Sequence, residues 1–111
     1  MKLPGADQAV ISTEKLRDYL LSPQHARGSS KAVFFAALGY TRDNWMALEQ
    51  ALREQHLTLD AKEVELTEWG RMFAIVGPLT RPSGEQAAIV SIWIIRSGEA
   101  TPRFVTAYPA R

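Results

Sequence analysis

The spacing of apolar and polar residues divides the chain into a helical first half and a strand-rich second half. Apolar residues recur every three or four positions in three stretches, which begin after Ser12, at the Ser29-Ser30 pair and after Thr41. Serine and threonine at such positions accept hydrogen bonds from the free amides of a helix start, and glycine suits a helix end such as Gly39. The pattern therefore predicts three helices in the first half.

Beyond residue 60 the apolar period changes to two, and short apolar runs alternate with turn residues. These runs predict an edge strand in KEVELTEW and further strands at residues 72–80, 87–96 and 103–108. Short connections favour an antiparallel meander, and helices followed by strands define an α+β fold. We expect about three N-terminal helices packed on one face of a roughly four-stranded sheet, in a single domain of residues 1–111.

Alternation within the last two strands predicts which side chains pack against the helices, because successive side chains of a strand point to opposite faces. Aliphatic residues are expected on the helix side, namely Val90, Ile92, Ile94, Val105 and Ala107. The opposite face would carry hydroxyl and aromatic groups, and it would either bind a ligand or be covered by the N-terminal segment or another subunit. Its expected members are Ser91, Trp93, Thr106 and Tyr108.

Composition and charge exclude several classes of function. The chain is 46% hydrophobic and 23% charged, which is ordinary for a globular protein, and it lacks the cysteines that disulfides and thiolate catalysis require. No apolar run approaches the roughly 18 residues that cross a bilayer, and MKLPGADQAV lacks the apolar centre of a signal peptide. We therefore expect a cytoplasmic protein without a membrane partner. Residues 41–70 are acidic and both ends are basic, so the two ends could form a basic face that attracts a polyanion, although ordinary mixed surface charge explains the same balance.

The segment LLSPQHARGSSK, residues 20–31, is the main candidate for chemistry. His25 and Arg27 precede a predicted helix start that contains Lys31, and the segment holds no acidic residue. The free amides of a helix start favour a phosphate, although the serines can equally cap their own backbone, so an anion site and a plain connector both remain open. His25 and His56 lack the spacing of a metal site, and the sequence contains no phosphate-loop or serine-nucleophile motif. We expect no metal and no cofactor.

Two sequence signatures are similar to those of an uncharacterised bacterial domain family. The pattern L-L-x-P-x-H-x-x-G-x-x-K-A-x-F-F-x-x-L-G matches residues 20–39, and a second signature is matched in order by WGRMFAIVG, SIWI and PRFVTAYP. Members of that family occur as standalone small proteins and as terminal domains of bacterial polymorphic toxins. The order of helices and strands also resembles the barnase, colicin and RelE-type group of ribonucleases. Where the family tends to have tyrosine before Gly70, this chain has Trp69.

The resemblance implies a metal-independent endoribonuclease of the toxin-effector type. Such an enzyme moves a proton at the attacking and leaving oxygens and stabilises the charge of the phosphorane. His25 would transfer protons, while Lys31 and Arg103 would bind the phosphate. Positioning would come from Thr106 or Tyr108, and substrate binding from Arg27, Ser91 and Trp93, the last by stacking on a base. The expected partners are RNA and a cognate immunity or antitoxin protein.

Two other functions fit the same sequence. A non-catalytic protein- or RNA-binding module would use the open sheet face, or would dock a basic partner on the acidic residues 43–68. Mutation of Asp60, Glu63 or Glu65 would test this hypothesis. A degenerate nuclease without activity is the second alternative, and Trp69 in place of tyrosine points to it.

Overall fold

The computed structural model describes residues 1–24 and 29–110, and within them three helices precede four strands. The first helix is Glu14–Leu20, the second Ser29–Leu38, and the third Trp45–Ala51 with its continuation Leu52–His56; short 3-10 turns lie at Ala6–Gln8 and Arg42–Asn44. None of the described helices is long and apolar enough to cross a membrane.

The predicted helix ends are confirmed by their hydrogen bonds. Ser12 Oγ accepts from the backbone N–H of Lys15 at 3.1 Å, which satisfies one of the free amides of the first helix. The second helix ends at Gly39, whose φ of 105° lies in the left-handed region that glycine adopts without a steric penalty. Before the third helix, the N–H of Thr41 donates to Asn44 Oδ1 at 2.6 Å.

The strands form an antiparallel sheet with the order β1-β2-β3-β4, which confirms the α+β meander. Two irregularities interrupt the register, one in β1 between Glu63 and Glu65 and one in β4 at Val105, which is an extra residue between the partners of Ile92 and Trp93. The strands are β1 Lys62–Thr67, β2 Gly70–Thr80, β3 Gln86–Arg96 and β4 Pro102–Pro109.

The three helices pack on one face of the sheet, and the core lies between them. We call the opposite side the outer face. Large apolar side chains of the sheet and of the helices are completely buried in this core, among them Phe73, Ile75, Leu79, Ile89, Trp93, Leu16, Leu20, Phe35, Leu48 and Leu52. Burial of this many large side chains is the main stabilising contribution to the fold.

The predicted orientation of β3 is wrong. Ser91 and Trp93 face the helices and have an exposed fraction of 0%, whereas Val90, Ile92 and Ile94 lie on the outer face. Trp93 has the largest side chain of the strand, and its ring packs edge-on against Phe104 with 5.3 Å between centroids. Burying this indole removes more apolar surface from water than burying an aliphatic side chain, so the aromatic set takes the core.

The prediction for β4 is correct in part. Ala107 is buried and Thr106 and Tyr108 lie on the outer face, opposite Ile92 and Val90 respectively. Phe104, however, points into the core together with Ala107, three residues later. The extra residue at the bulge shifts the alternation and allows this spacing.

The N-terminal segment contacts the sheet near both of its edges, at β1 and at β4. Lys2 pairs with Asp60 just before β1, and Val10 pairs with Arg103 of β4. The Val10 amide donates to the carbonyl of Pro102, and the Phe104 amide donates to the carbonyl of Val10, both at 2.9 Å. The edge of β4 is therefore partly closed by the chain itself.

Candidate functional site

The predicted site in residues 20–31 is described only in part. His25 and Arg27 lie outside the described residues, so their assigned roles stay predictions. Lys31 is half-buried on the second helix, and the described part of the chain gives its ammonium group no hydrogen bond or ion pair. The role assigned to Lys31 in phosphate binding also stays a prediction.

An open cavity of about 560 Å³ lies where the first helix meets the ends of β3 and β4. Three cationic side chains line it, and two hydroxyl groups lie among them. We call it the basic cavity; its lining consists of Val10, Ser12, Glu14, Lys15, Tyr19, Arg96, Arg103 and Phe104. Each of the three cations comes from a different element, so the fold itself assembles the charge.

The electrostatics of the basic cavity favour an anion. Against three cations, the lining contains one carboxylate, that of Glu14. Arg103 is partly neutralised because its Nε donates to a carboxylate oxygen of Glu99 at 3.2 Å, which leaves four of the five guanidinium N–H donors outside that bond. Arg96 is exposed and has no ion pair within the described residues. A phosphate group matches this excess of positive charge.

Tyr19 connects the cavity to one predicted site residue. Its hydroxyl lies 3.4 Å from Thr106 Oγ1, and either oxygen can donate. Lys15 Nζ lies 5.6 Å from the centroid of the Tyr19 ring, so the aromatic ring and the ammonium group face the same space. Of the residues predicted from the last strand, Arg103 therefore lines the cavity, and Thr106 contacts one of its lining residues, Tyr19.

Tyr108 and Lys31 are not part of that lining. Tyr108 borders a separate shallow hollow of about 450 Å³ with Val90, Pro109 and Ala110. It lies on the outer face, as predicted, but at the other end of β4 from Arg103. The predicted residues therefore divide between two places on the surface.

The assignment of Ser91 and Trp93 to substrate binding is contradicted by their complete burial. They instead form an internal network with His56, which is also completely buried. Trp93 Nε1–H donates to Ser91 Oγ at 2.9 Å, and Ser91 Oγ lies 2.7 Å from His56 Nδ1. Burying these polar groups is tolerated because they satisfy one another.

His56 is the last residue of the third helix, and its side chain lies in the core. Its Nε2 lies 3.1 Å from the carbonyl oxygen of Gly77, which can only accept, so Nε2 carries the hydrogen and Nδ1 accepts from Ser91. Burial lowers the pKa of His56 below its usual value, and the hydrogen bond to Gly77 opposes this shift. The imidazole is therefore held in its neutral form.

The sequence interpretation missed Lys15, Tyr19 and Arg96. Tyr19 has the helical spacing of a core residue, and the two cations resemble ordinary surface charge. Nothing local reveals that they meet, because the contact depends on the packing of the first helix against β4. Within residues 1–24 and 29–110, no cluster of three or more histidine, aspartate and glutamate side chains is arranged to hold a metal ion.

The sequence match defines the family of this chain. Residues 2–111 match the model of DUF6883, described as a domain of unknown function, and the chain belongs to this family. A chain of the contact-dependent growth inhibition toxin–immunity protein complex from Klebsiella pneumoniae 342 is similar in structure, with a TM-score of 0.69 over 98% of this chain and 99% of that one. The two sequences are 18% identical, so the likeness concerns the fold. No curated protein sequence matches the chain.

Proposed function

We propose that this protein is a metal-independent endoribonuclease of the toxin-effector type, and that the basic cavity binds the phosphate backbone of RNA. The observation that carries the proposal is the convergence of Lys15, Arg96 and Arg103 on one cavity beside two hydroxyl groups. The similarity in fold to a chain of a toxin–immunity complex supports the toxin class.

The cavity supplies two requirements of RNA cleavage. Cationic side chains stabilise the extra negative charge that develops when the 2′-oxygen bonds to phosphorus. The hydroxyl of Tyr19 lines the cavity and lies 3.4 Å from Thr106 Oγ1, and this pair is proposed to orient the phosphate group. In the proposed reaction the 2′-oxygen loses its proton to a base and attacks phosphorus, and the 5′-oxygen leaves with a proton from an acid.

Proton transfer is the proposed role of His25, since an imidazole has a suitable pKa near neutrality. His56 is unsuited to it because it is completely buried and both ring nitrogens are engaged. Lys31 is proposed to add charge on the phosphate. Tyr108 lies at the other end of β4 from Arg103, so the positioning role is proposed for Thr106 instead. Ser91 and Trp93 take no part in binding.

An immunity protein is the proposed protein partner. The support for it is the toxin–immunity complex that contains the structurally similar chain. A toxin that cleaves RNA needs such a partner in the cell that makes it, and an acidic protein surface would complement the basic cavity.

The test is incubation of the purified protein with total RNA in EDTA, with cleavage followed on a denaturing gel. We expect cleavage in EDTA, a loss of at least about 100-fold in His25→Ala, and a loss of about 10- to 100-fold in Arg96→Gln. Arg71→Gln is the matched control, because Arg71 is a sheet arginine paired with Glu63 and does not line the cavity. Equal loss in Arg71→Gln and Arg96→Gln, or cleavage only with added metal, would contradict the proposal.

A non-catalytic binding module remains the second candidate, and the apolar outer face favours it. Of the acidic residues expected to dock a partner, Asp60 is paired with Lys2 and Glu63 with Arg71, both near the sheet edge. Absence of cleavage in every condition, together with RNA binding that Arg96→Gln weakens, would support this candidate over the nuclease.

A further inference from the structure

The outer face of the sheet is apolar and partly exposed, and at its β4 margin the hydroxyl of Tyr19 from the first helix lies 3.4 Å from Thr106 Oγ1. An antiparallel sheet with one face in water usually carries polar side chains there. Here the outward side chains of the two central strands are mostly aliphatic, and Val76 has an exposed fraction of 62%. They are Met72, Ala74 and Val76 of β2 and Val90, Ile92 and Ile94 of β3. A contiguous apolar surface of this kind is typical of an interface.

The strand register arranges the outer face in level rows. One row runs from Glu65 through Met72 and Ile94 to Arg103, so an acid and a base stand at its two ends with apolar residues between. The next row consists of Lys62, Ala74, Ile92 and Thr106. The third consists of Val76, Val90 and Tyr108.

We propose that a second copy of this chain covers the outer face, related by a two-fold axis parallel to the strands and midway between β2 and β3. This operation exchanges β1 with β4 and β2 with β3, and it keeps each row level. Glu65 of each copy then lies opposite Arg103 of the other copy, so the symmetry produces this pair two times. Met72 of each copy packs against Ile94 of the other. The row of Glu65 and Arg103 is thus complementary to itself in charge and the central residues are complementary in polarity, as a two-fold interface requires, while Lys62 lies opposite the hydroxyl of Thr106.

The dimensions of the face agree with a dimer of modest affinity. Aligned packing of two sheets is a common arrangement, with about 10 Å between them. Strands about 4.8 Å apart and about 3.4 Å of length per residue give the three rows roughly 400 Å² on each copy. The total of about 800 Å² is smaller than in stable specific interfaces, so we expect a weak dimer with a dissociation constant in the upper micromolar range.

The sheet edges are less suited to self-association than the face. The β4 edge is paired with Val10 of the same chain. The β1 edge carries Lys62, Glu63 and Glu65 and contains a bulge, which are features that oppose strand addition. Packing of face on face therefore agrees better with the structure than extension of the sheet.

The first experiment is sedimentation velocity from about 1 to about 200 µM protein, without RNA, so that its outcome does not depend on the nuclease proposal. We expect wild-type protein to change from monomer to dimer over this range. Val76→Lys is expected to raise the dissociation constant at least about 30-fold, because it places a charge among the apolar residues of the two central strands. Met46→Lys is the matched control, since Met46 is 64% exposed and lies on the third helix.

A charge exchange tests the symmetry itself. Glu65→Arg and Arg103→Glu are each expected to weaken the dimer about 10-fold, and the double variant to recover most of that loss. Circular dichroism of each variant verifies the fold. A monomer at every concentration would overturn the proposal and leave the face to another protein. A dimer insensitive to Val76→Lys, or no recovery in the double variant, would overturn the proposed arrangement.

Discussion

Ser91 Oγ lies 2.7 Å from His56 Nδ1, and both residues are completely buried. The hydroxyl donates to the imidazole and accepts from the indole N–H of Trp93, while the imidazole donates to Gly77. Every donor in this hydrogen-bond network therefore has an acceptor, provided that His56 is neutral. A second proton on His56 would leave Ser91 facing two donors, so the network couples the core to pH.

The free energy of unfolding is expected to fall as pH is lowered from about 6.5 towards 5. The pKa of His56 is lowered in the folded protein, so below its ordinary value the unfolded chain binds a proton that the folded chain does not. The contribution is fully present above the unfolded pKa and is lost as pH falls, by at most about 1.4 kcal/mol per pH unit. Urea unfolding at a series of pH values measures it. The His25→Ala variant should show the same dependence of stability on pH. If the dependence disappeared in that variant, His25 and not His56 would be its source.

Ser91→Ala is expected to destabilise the fold by about 2 kcal/mol or more. The substitution leaves the buried Trp93 N–H without its acceptor and His56 Nδ1 without its donor. Chemical denaturation provides the measurement. Ser83→Ala is the control, because Ser83 is exposed in the turn between β2 and β3, and we expect a change within about 0.5 kcal/mol. Equal effects at the two serines would refute the role of the network.

Gly70→Ala is expected to cost about 3 kcal/mol or more. A Cβ at Gly70, whose φ is 150°, would lie 2.7 Å from Arg96 Cα and against the carbonyl of Ile95. These are backbone atoms of the paired strand and cannot move aside. Gly84 also has a positive φ, of 97°, but open space around it, so Gly84→Ala should cost only about 1 kcal/mol. Thermal unfolding of both variants separates the two costs: Gly84→Ala reports the cost of a positive φ alone, and Gly70→Ala adds the cost of the steric clash.

Lys15→Gln is expected to reduce the salt dependence of RNA binding. Each phosphate contact with single-stranded RNA contributes about 0.7 to the slope of log K against log salt, so loss of one contact should lower the slope by about that amount. Fluorescence anisotropy with a labelled single strand measures the slope. Lys62→Gln, on β1 away from the basic cavity, should leave it unchanged. Identical slopes for wild type and Lys15→Gln would remove Lys15 from the binding surface.

Glu99→Gln is expected to raise RNA affinity several-fold at low salt. Glu99 neutralises part of Arg103, and its removal makes the potential at the basic cavity more positive. The gain should shrink as salt is added, because salt screens exposed charges. Glu85→Gln is the control, since Glu85 forms a similar pair with Arg81 elsewhere on the surface. A weaker affinity in Glu99→Gln would show that Glu99 helps RNA binding by orienting the Arg103 guanidinium group, and does not reduce it by neutralising the charge.

The helices and the strand order could be predicted because their signals are local. Ser12, Thr41 and Gly39 fix helix ends through bonds and dihedral angles within a few residues. The spacing of apolar residues changes at β1 from every three or four positions to every two, and this change is visible in the sequence for the same reason. A strand is recognised from the alternation of apolar and polar residues within it.

The orientation of β3 and the basic cavity could not be predicted in the same way. Both faces of β3 are apolar, so alternation alone does not say which one the helices cover. The partner that stabilises Ser91 in the core is His56, 35 residues away. Likewise, Lys15 and Arg96 approach each other only through tertiary packing, which no spacing along the chain encodes.

The N-terminal segment links the basic cavity to both ends of the chain. Val10 pairs with Arg103, and the two residues come from opposite ends of the sequence. Contacts between such distant residues are among the slowest to form during folding. Val10 and Ser12 are also walls of the basic cavity. The basic cavity therefore exists only where the two ends of the chain meet, so its completion depends on one of the longest-range contacts of the fold.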